Sequence, residues 1–488
     1  MSKKFYITTP IYYVNDKPHI GHSYTTLMAD VLARYYREKL GKDNVFFLTG
    51  TDEHGTKVAQ SAEHSGLSPQ KFCDQTSGLF KKAWKSLNID NDDFIRTTEE
   101  RHIKAVQKIF IQLKEAKTPK GNPAIYQGNY EGLYCTGCEK FITEKELVDG
   151  KCSYHQKKPE KLSEKNWFFR LSDYLDDLKK KIELNEFEIL PTSRKNETLG
   201  LIEQGVTDFS ISRETVIWGV DIPFDKTQKS YVWVDALSNY ITAIGYPNNL
   251  KEFKKWWPVD VHLLAQDILK FHALYWPALL MALDLPLPKR ELIHGFFTID
   301  GRKMSKSLGN VITPEELVKR YGTDGTRYLL LSPFSFGQEA DIKAELFDER
   351  YNADLANGLG NLVSRVSNMV EKYLITDIKT EEFDIKRDKS YKKCCQFIEK
   401  YKFNESLKEI FNIISETDRL IDAAKPWELS KDQNKKEELD FILKIYVKRI
   451  LLIADLLKPF LPQTSEKITE IFTAKKIKKP KEPLFKRI

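Results

Sequence analysis

Near the start of the chain the apolar positions run continuously and then switch to a helical period. Phe5-Tyr6-Ile7-Thr8-Thr9 reads as a strand, and Asn15-Asp16-Lys17-Pro18 is turn chemistry. Tyr24, Leu27, Met28, Val31, Leu32 and Tyr35 follow at three- and four-residue spacing, which predicts a helix. Val45-Phe46-Phe47-Leu48 is continuously apolar again, as a parallel strand covered on both faces should be. The first fifty residues thus predict a β-α-β unit, with a ligand-facing loop after its first strand.

That rhythm stops between about 115 and 225, where turns, Lys and Glu dominate. The segment is read as an insertion, 115–225, dividing an α/β domain into halves 1–114 and 226–350. Alternation resumes with the strand-like Val261-His262-Leu263-Leu264. Ile268, Phe271, His272, Tyr275, Trp276, Leu279 and Leu280 then mark one helix face. From 351 to 488 the period is helical only, as in Leu355, Leu359, Leu362, Val363, Val366 and Val370, and predicts a helix bundle. The expected fold class is therefore α/β with a parallel sheet, an insertion, and an all-α C-terminal domain. No internal repeat is evident. No stretch approaches ~20 uninterrupted apolar residues, and the longest candidate, Tyr275–Leu287, is cut by Pro277, Asp284 and Pro286.

Composition narrows this further. At 488 residues, 41% hydrophobic and 30% charged, the chain reads as globular, and a disordered chain, collagen or coiled coil is excluded. About three domains are expected. Met1-Ser2-Lys3-Lys4 leads at once into the first strand, without an apolar signal core or a long transit segment, so a cytoplasmic address is expected. The net charge of +7 permits a polyanionic partner. Lys475, Lys476, Lys478, Lys479, Lys481, Lys486 and Arg487 concentrate it at the end, where it reads as a solvated tail.

Six cysteines are too few for a disulfide framework. Three cluster as Cys135-x-x-Cys138, thirteen residues, then Cys152-x-x-His155. Three thiolates and one imidazole at that spacing form a closed tetrahedral set for one structural Zn²⁺. The alternatives are free thiols or a knuckle without its metal.

Two further constellations carry chemistry. Pro18-His19-Ile20-Gly21-His22 sits where a loop enters the first helix. A helix start gathers anionic oxygens, Gly21 admits a close backbone approach, and His19 and His22 can donate to phosphate. The plainer reading is a pair of capping histidines. Asp300-Gly301-Arg302-Lys303-Met304-Ser305-Lys306-Ser307-Leu308-Gly309-Asn310 is a Gly-bounded basic loop suited to clamping a polyphosphate. Alone, it would be an ordinary basic surface loop.

Together, the histidine motif and the lysine loop resemble the motif pair of class I aminoacyl-tRNA synthetases. The flanks narrow the likeness. Thr8-Thr9-Pro10-Ile11-Tyr12-Tyr13-Val14-Asn15, Gly50-Thr51-Asp52-Glu53-His54-Gly55, Tyr231-Val232-Trp233-Val234-Asp235-Ala236 and His294-Gly295-Phe296 resemble the methionyl-tRNA synthetase family. The likeness extends from the first strand to Trp427.

The resemblance implies a Rossmann-like catalytic domain and a two-step reaction. L-methionine and ATP, with Mg²⁺, form methionyl-adenylate and pyrophosphate, and the methionyl group then passes to the 3′ end of tRNA(Met). It implies that His19, Gly21 and His22 hold ATP while Lys303 and Lys306 neutralise the pyrophosphate. Ile11, Tyr13, Trp233, Ala236, Tyr240, Ile268 and His272 would surround the methionine side chain, and Asp52 would hold its ammonium. A soft thioether suits aromatic edges, although these aromatics could equally be core. Asn361 and Arg365, four apart on one helix face, would meet the anticodon with Trp427. An isolated Trp in a bundle would instead plug a helix end.

Asp235 and Asp267 are left open between substrate contact and helix capping. Where the family carries Gly-Lys before the Asp267 position, this chain has Ala265-Gln266. Some members append a dimerisation domain, but the bundle and tail leave no room for one, so a monomer is expected. Another class I synthetase for an apolar amino acid would need an editing domain that about 110 inserted residues cannot house. A catalytically inactive tRNA-binding paralogue is disfavoured because His19, His22, Lys303 and Lys306 are all present.

Overall fold

The computed structural model describes residues 4–135, 140–142, 147–153, 156–299, 301–303, 311–343, 345–374, 376, 378, 380 and 383–488. The chain forms two compact units. The first comprises Met1–Pro18, Leu40–Ala83 and Asp90–His294; the second comprises His19–Lys39, Trp84–Ile89 and Gly295–Ile488.

In the first unit, six strands form one sheet. Their order is Asp93–Arg96, Val45–Asp52, Phe5–Tyr13, Val261–Ala265, Arg290–His294, Glu188–Leu190. Every pairing is parallel. The two predicted apolar runs are central strands, and Phe47, Leu48, Val261, Leu263 and Leu264 are fully or almost fully buried. Phe5–Tyr13 lies at the reversal of strand order: the chain steps outward from it on one side through Val45–Asp52 and Asp93–Arg96, and Val261–Ala265 then flanks it on the other, with Arg290–His294 beyond. In open parallel sheets, ligands bind at the carboxyl ends of the strands at such a reversal. Ile11, Tyr12 and Tyr13 occupy that end of the first strand.

A bulge between Thr8 and Ile11 re-aims this end of the strand, opposite Leu48 and Gly50 of its neighbour. Gly50 is required there, because a Cβ would lie 2.0 Å from the Ile95 carbonyl oxygen on the next strand.

The segment read as a turn-rich insertion holds an antiparallel four-stranded sheet that includes Ile125–Cys135, Lys140–Ile142 and Glu160–Phe169. It also contains a surprise. Glu188–Leu190 pairs in parallel with Arg290–Leu292 and forms an edge of the main sheet. Three residues are too short to carry a period, so the strand was invisible in the sequence.

The second unit is mainly helical. Its elements include Ile20–Leu40, Pro314–Leu331, Asn361–Tyr373, Phe403–Ala424, Lys436–Leu457 and Pro462–Thr473. Pro314–Leu331 begins with Thr313 and Glu316 in a reciprocal capping box. At Gly322, with φ of 71°, the helix kinks. Beyond the kink, Arg327 is fully buried. It donates to Asp30 Oδ2 at 2.7 Å and to the carbonyls of Leu87, Pro459 and Phe460 at 3.0, 3.0 and 2.6 Å. This one guanidinium joins the helix that starts at Ile20 to the turn before Pro462–Thr473. No described helix is long and apolar enough to cross a membrane.

Candidate active site

In the second unit, His19 and His22 open the helix Ile20–Leu40 as a reciprocal cap. The Gly21 N–H donates to His19 Nδ1 at 3.1 Å, and the His19 N–H donates to His22 Nδ1 at 3.3 Å. Serine or threonine with glutamate does this at many helix starts; here two imidazoles do it. Their rings stack 3.7 Å apart at 25°. Burial, with His19 alongside, holds the His22 pKa well below the usual imidazole range. With Nδ1 accepting, each neutral ring carries its proton on Nε2. The capping reading and the donor reading are therefore compatible.

The helix start is also tied to the end of the lysine loop, since the Ile20 N–H donates to the Ile312 carbonyl at 3.1 Å. The other end of that loop begins as a hairpin in which Thr298 pairs with Lys303 and Ile299 with Arg302. Gly301, at φ of 70°, makes its turn, and Asp341 Oδ1 accepts from the Gly301 N–H and the Thr298 hydroxyl at 2.7 Å each. Lys306 lies outside the described residues.

In the first unit, four of the residues assigned to methionine come together. The Tyr240 hydroxyl and His272 Nε2 are 2.8 Å apart, and His272 Nδ1 donates to the Ile268 carbonyl at 3.0 Å. Burial pushes His272 down to about 4, partly offset by the Ile268 bond, so the ring is neutral near pH 7. Trp233 stacks on Phe271 at 3.6 Å and 6°, with its ring edge-on to His272. Ala236 and Tyr240 are buried, while Ile11, Ile268 and Trp233 are half-buried against the same core. Tyr13 instead packs with Val14, Val58, Cys73 and Trp218. Asp52 pairs with Tyr13 across the strands at their carboxyl ends.

Behind this group runs a buried polar row. Trp276 donates to His262 Nε2 at 3.2 Å, which leaves Nδ1–H facing Thr8 Oγ1 at 2.7 Å. Next along the row is Glu291, fully buried, with both carboxyl oxygens lacking a hydrogen-bond partner among the described residues. Burial raises its pKa well above the usual carboxylate range. No sequence motif pointed to this residue.

The sequence also left undetermined what surrounds Asp52 and Asp235. Arg96 holds the adjacent Glu53 through both carboxylate oxygens, at 2.7 and 2.9 Å, with Thr51 and Thr98 adding bonds. Asp235 is neither a helix cap nor solvent-facing: His54 Nδ1 and His102 Nε2 meet its two oxygens at 2.6 and 2.8 Å. Burial pushes the Asp235 carboxyl up, but the two imidazoles outweigh that and hold it at about 2. Gln266, at the departure from the family pattern, accepts from Arg194.

In the helical region, Arg365 donates to Asp418 and Asp422, each at 2.7 Å. Both acids sit on the last turns of Phe403–Ala424. Lys425 follows in the left-handed region at φ of 46°, then Pro426 and Trp427, which is 39% exposed. Asn361 is exposed, one turn before Arg365.

Cys135 and Cys152 are both buried in one small cluster with Ile142. Cys135 ends a strand and pairs with Lys140 of the next, and the Gln156 N–H donates to the Cys152 carbonyl at 2.8 Å. Cys138 and His155 fall outside the described residues. Among the described residues, no group of three or more His, Cys, Asp or Glu side chains could hold a metal ion.

A parallel sheet with a strand-order reversal, a histidine-capped helix start joined to the lysine loop, and a helical C-terminal region define a class I aminoacyl-tRNA synthetase. The family model for tRNA synthetases class I (M) matches residues 5–158 and 142–367, and that for the anticodon-binding domain of tRNA ligases matches 384–486. The methionine–tRNA ligase of Caldanaerobacter subterraneus subsp. tengcongensis is 46% identical over 479 residues, covering 96% of this chain and 74% of the relative. That of Clostridium acetobutylicum is 47% identical over 476 residues, covering 96% and 73%. The structure of Mycobacterium tuberculosis methionyl-tRNA synthetase in complex with methionyl-adenylate superposes with a TM-score of 0.92 at 33% identity, covering 99% of this chain and 100% of that one. The chain belongs to the methionyl-tRNA synthetase family, with the methionine–tRNA ligase activity that defines it.

Proposed function

We propose that this chain performs that ligase reaction with the residues described above. The observation that carries the reading is the Tyr240–His272 pair. It sets a polar but uncharged group beside Trp233 and Ile268, which suits a thioether and penalises a charged side chain. Ile11 and Ala236 complete the lining; Tyr13, which packs in a neighbouring cluster, bounds the site from the strand end it shares with Asp52, and Asp52 takes the α-ammonium by a charge-assisted bond.

On the nucleotide side, the Nε2–H groups of His19 and His22 donate to phosphate oxygens, beside Gly21 and the helix start. Lys303 and Lys306 neutralise the departing pyrophosphate, where Mg²⁺ bound with ATP would add positive charge. The methionine carboxylate attacks the α-phosphorus in line, the Pα–O bond to pyrophosphate breaks, and a terminal hydroxyl of the tRNA then displaces AMP. No covalent enzyme intermediate is needed, so positioning and charge stabilisation do the work.

Trp427 supplies a stacking face for an unpaired anticodon base, with Asn361 and Arg365 contacting its edge. The burial of Cys135 and Cys152 in one cluster fits a structural Zn²⁺ completed by Cys138 and His155, in a site with no open position for chemistry. The functional segments are 1–114 and 226–350 for catalysis, 115–225 for the zinc-bearing insertion and 351–488 for the anticodon. Pyrophosphate exchange measured with all twenty amino acids tests the reading: it should depend on methionine alone, and exchange driven equally by another amino acid would overturn it.

A further inference from the structure

Asp235 stands between Trp233 and Ala236 on the helix Val232–Thr242 and is 1% exposed. Its two oxygens are claimed by imidazoles from different parts of the chain. His54 comes from the segment that carries Asp52; His102 comes from the helix Glu100–Glu115. His102 continues the chain of bonds through Nδ1 to Thr242 Oγ1 at 2.7 Å, at the far end of the Asp235 helix. The His54 ring lies edge-on to Trp218, whose indole N–H donates to the Glu53 carbonyl at 2.6 Å. One buried carboxylate therefore joins three chain segments, two of which carry residues assigned to methionine.

We infer that His54 and His102 are positioning residues of the methionine site: by gripping Asp235 from two sides, they set Trp233 and Ala236 against Asp52. The inference rests on reading Trp233, Ala236 and Asp52 as methionine contacts. A buried network serving stability alone would also satisfy these hydrogen bonds. The two roles part in their geometry, because the grip uses Nδ1 of His54 but Nε2 of His102. An asparagine amide nitrogen occupies the place of Nδ1, and a glutamine amide nitrogen that of Nε2. His54→Asn and His102→Gln therefore keep the donor where Asp235 needs it, whereas His54→Gln and His102→Asn misplace it.

The test is methionine-dependent pyrophosphate exchange by the full chain, with KM for methionine and for ATP and the melting temperature recorded for all four variants and for Trp233→Ala. We expect His54→Gln and His102→Asn to raise the methionine KM by roughly tenfold with the ATP KM little changed, and the two mimics to stay near wild type. Mimics and non-mimics that lose melting temperature alike, with the methionine KM unmoved, would overturn the inference. If the non-mimics do not fold, Asp235→Asn keeps the volume and must show the same methionine-specific rise; an unchanged KM there also overturns it. Trp233→Ala separates the two layers. If its methionine KM is unchanged, the pocket reading fails and the inference with it; if it rises while the histidine variants stay flat, only the positioning role fails.

Discussion

The Tyr240 hydroxyl donates a hydrogen bond to His272 Nε2 across 2.8 Å, and its direction is set by the donation from His272 Nδ1 to the Ile268 carbonyl. The ring must be neutral to accept this bond, and burial holds it so, at about 4. An unfolded histidine titrates near 6.5, so between about pH 4 and 6.5 the unfolded chain binds the extra proton. Stability from this group is therefore complete above about pH 6.5 and falls as pH drops towards 4, by roughly 3 kcal/mol at the lower end. Denaturant unfolding at pH 7 and pH 4.5 should show the loss, and His272→Gln should flatten part of it. An unchanged slope in the variant would place the titration elsewhere.

Lys306→Ala should slow methionyl-adenylate formation by orders of magnitude while leaving methionine affinity nearly intact. The lost charge acts on the departing pyrophosphate, which exists only beyond the ground state, so kcat should fall more than KM rises. A sharp rise in methionine KM with kcat untouched would contradict the role given to the loop.

The protein should hold about one Zn²⁺ per chain after metal-replete purification. Cys135→Ser should release it, loosen the insertion and impair transfer to tRNA more than the overall fold. Elemental analysis without zinc, with Cys135 and Cys152 freely titratable by a thiol reagent, would remove the site.

Trp427→Ala removes a base-stacking face worth ~1–3 kcal/mol, so aminoacylation of tRNA should fall by roughly ten- to a hundredfold. Pyrophosphate exchange, which needs no tRNA, should stay near wild type. Arg365→Ala should weaken discrimination between anticodons; it also strips Asp418 and Asp422 of their shared cation. If Trp427→Ala lowers both activities and the melting temperature together, the residue is packing rather than platform.

What could be read along the chain was whatever depends on near neighbours. Val45–Leu48 and Val261–Leu264 announced central strands because a parallel strand covered on both faces needs an unbroken apolar run. The helix Asn361–Tyr373 was legible from the spacing of Leu362, Val363, Val366 and Val370, and the histidine and lysine motifs from their local chemistry. The strand Glu188–Leu190 was not, because its assignment rests on Arg290–Leu292, about a hundred residues away.

Likewise, the sequence could offer His19 and His22 as caps or as phosphate donors, but only the folded helix start shows Nδ1 of each ring accepting from backbone. The partners of Asp235 lie 181 and 133 residues from it, and Asp30 adds to its local partner Arg34 a second, Arg327, 297 residues away. Periodicity records which face of an element is buried. Which polar groups meet inside is decided only when the elements pack, since a buried charge can persist there only beside donors that the tertiary fold brings to it.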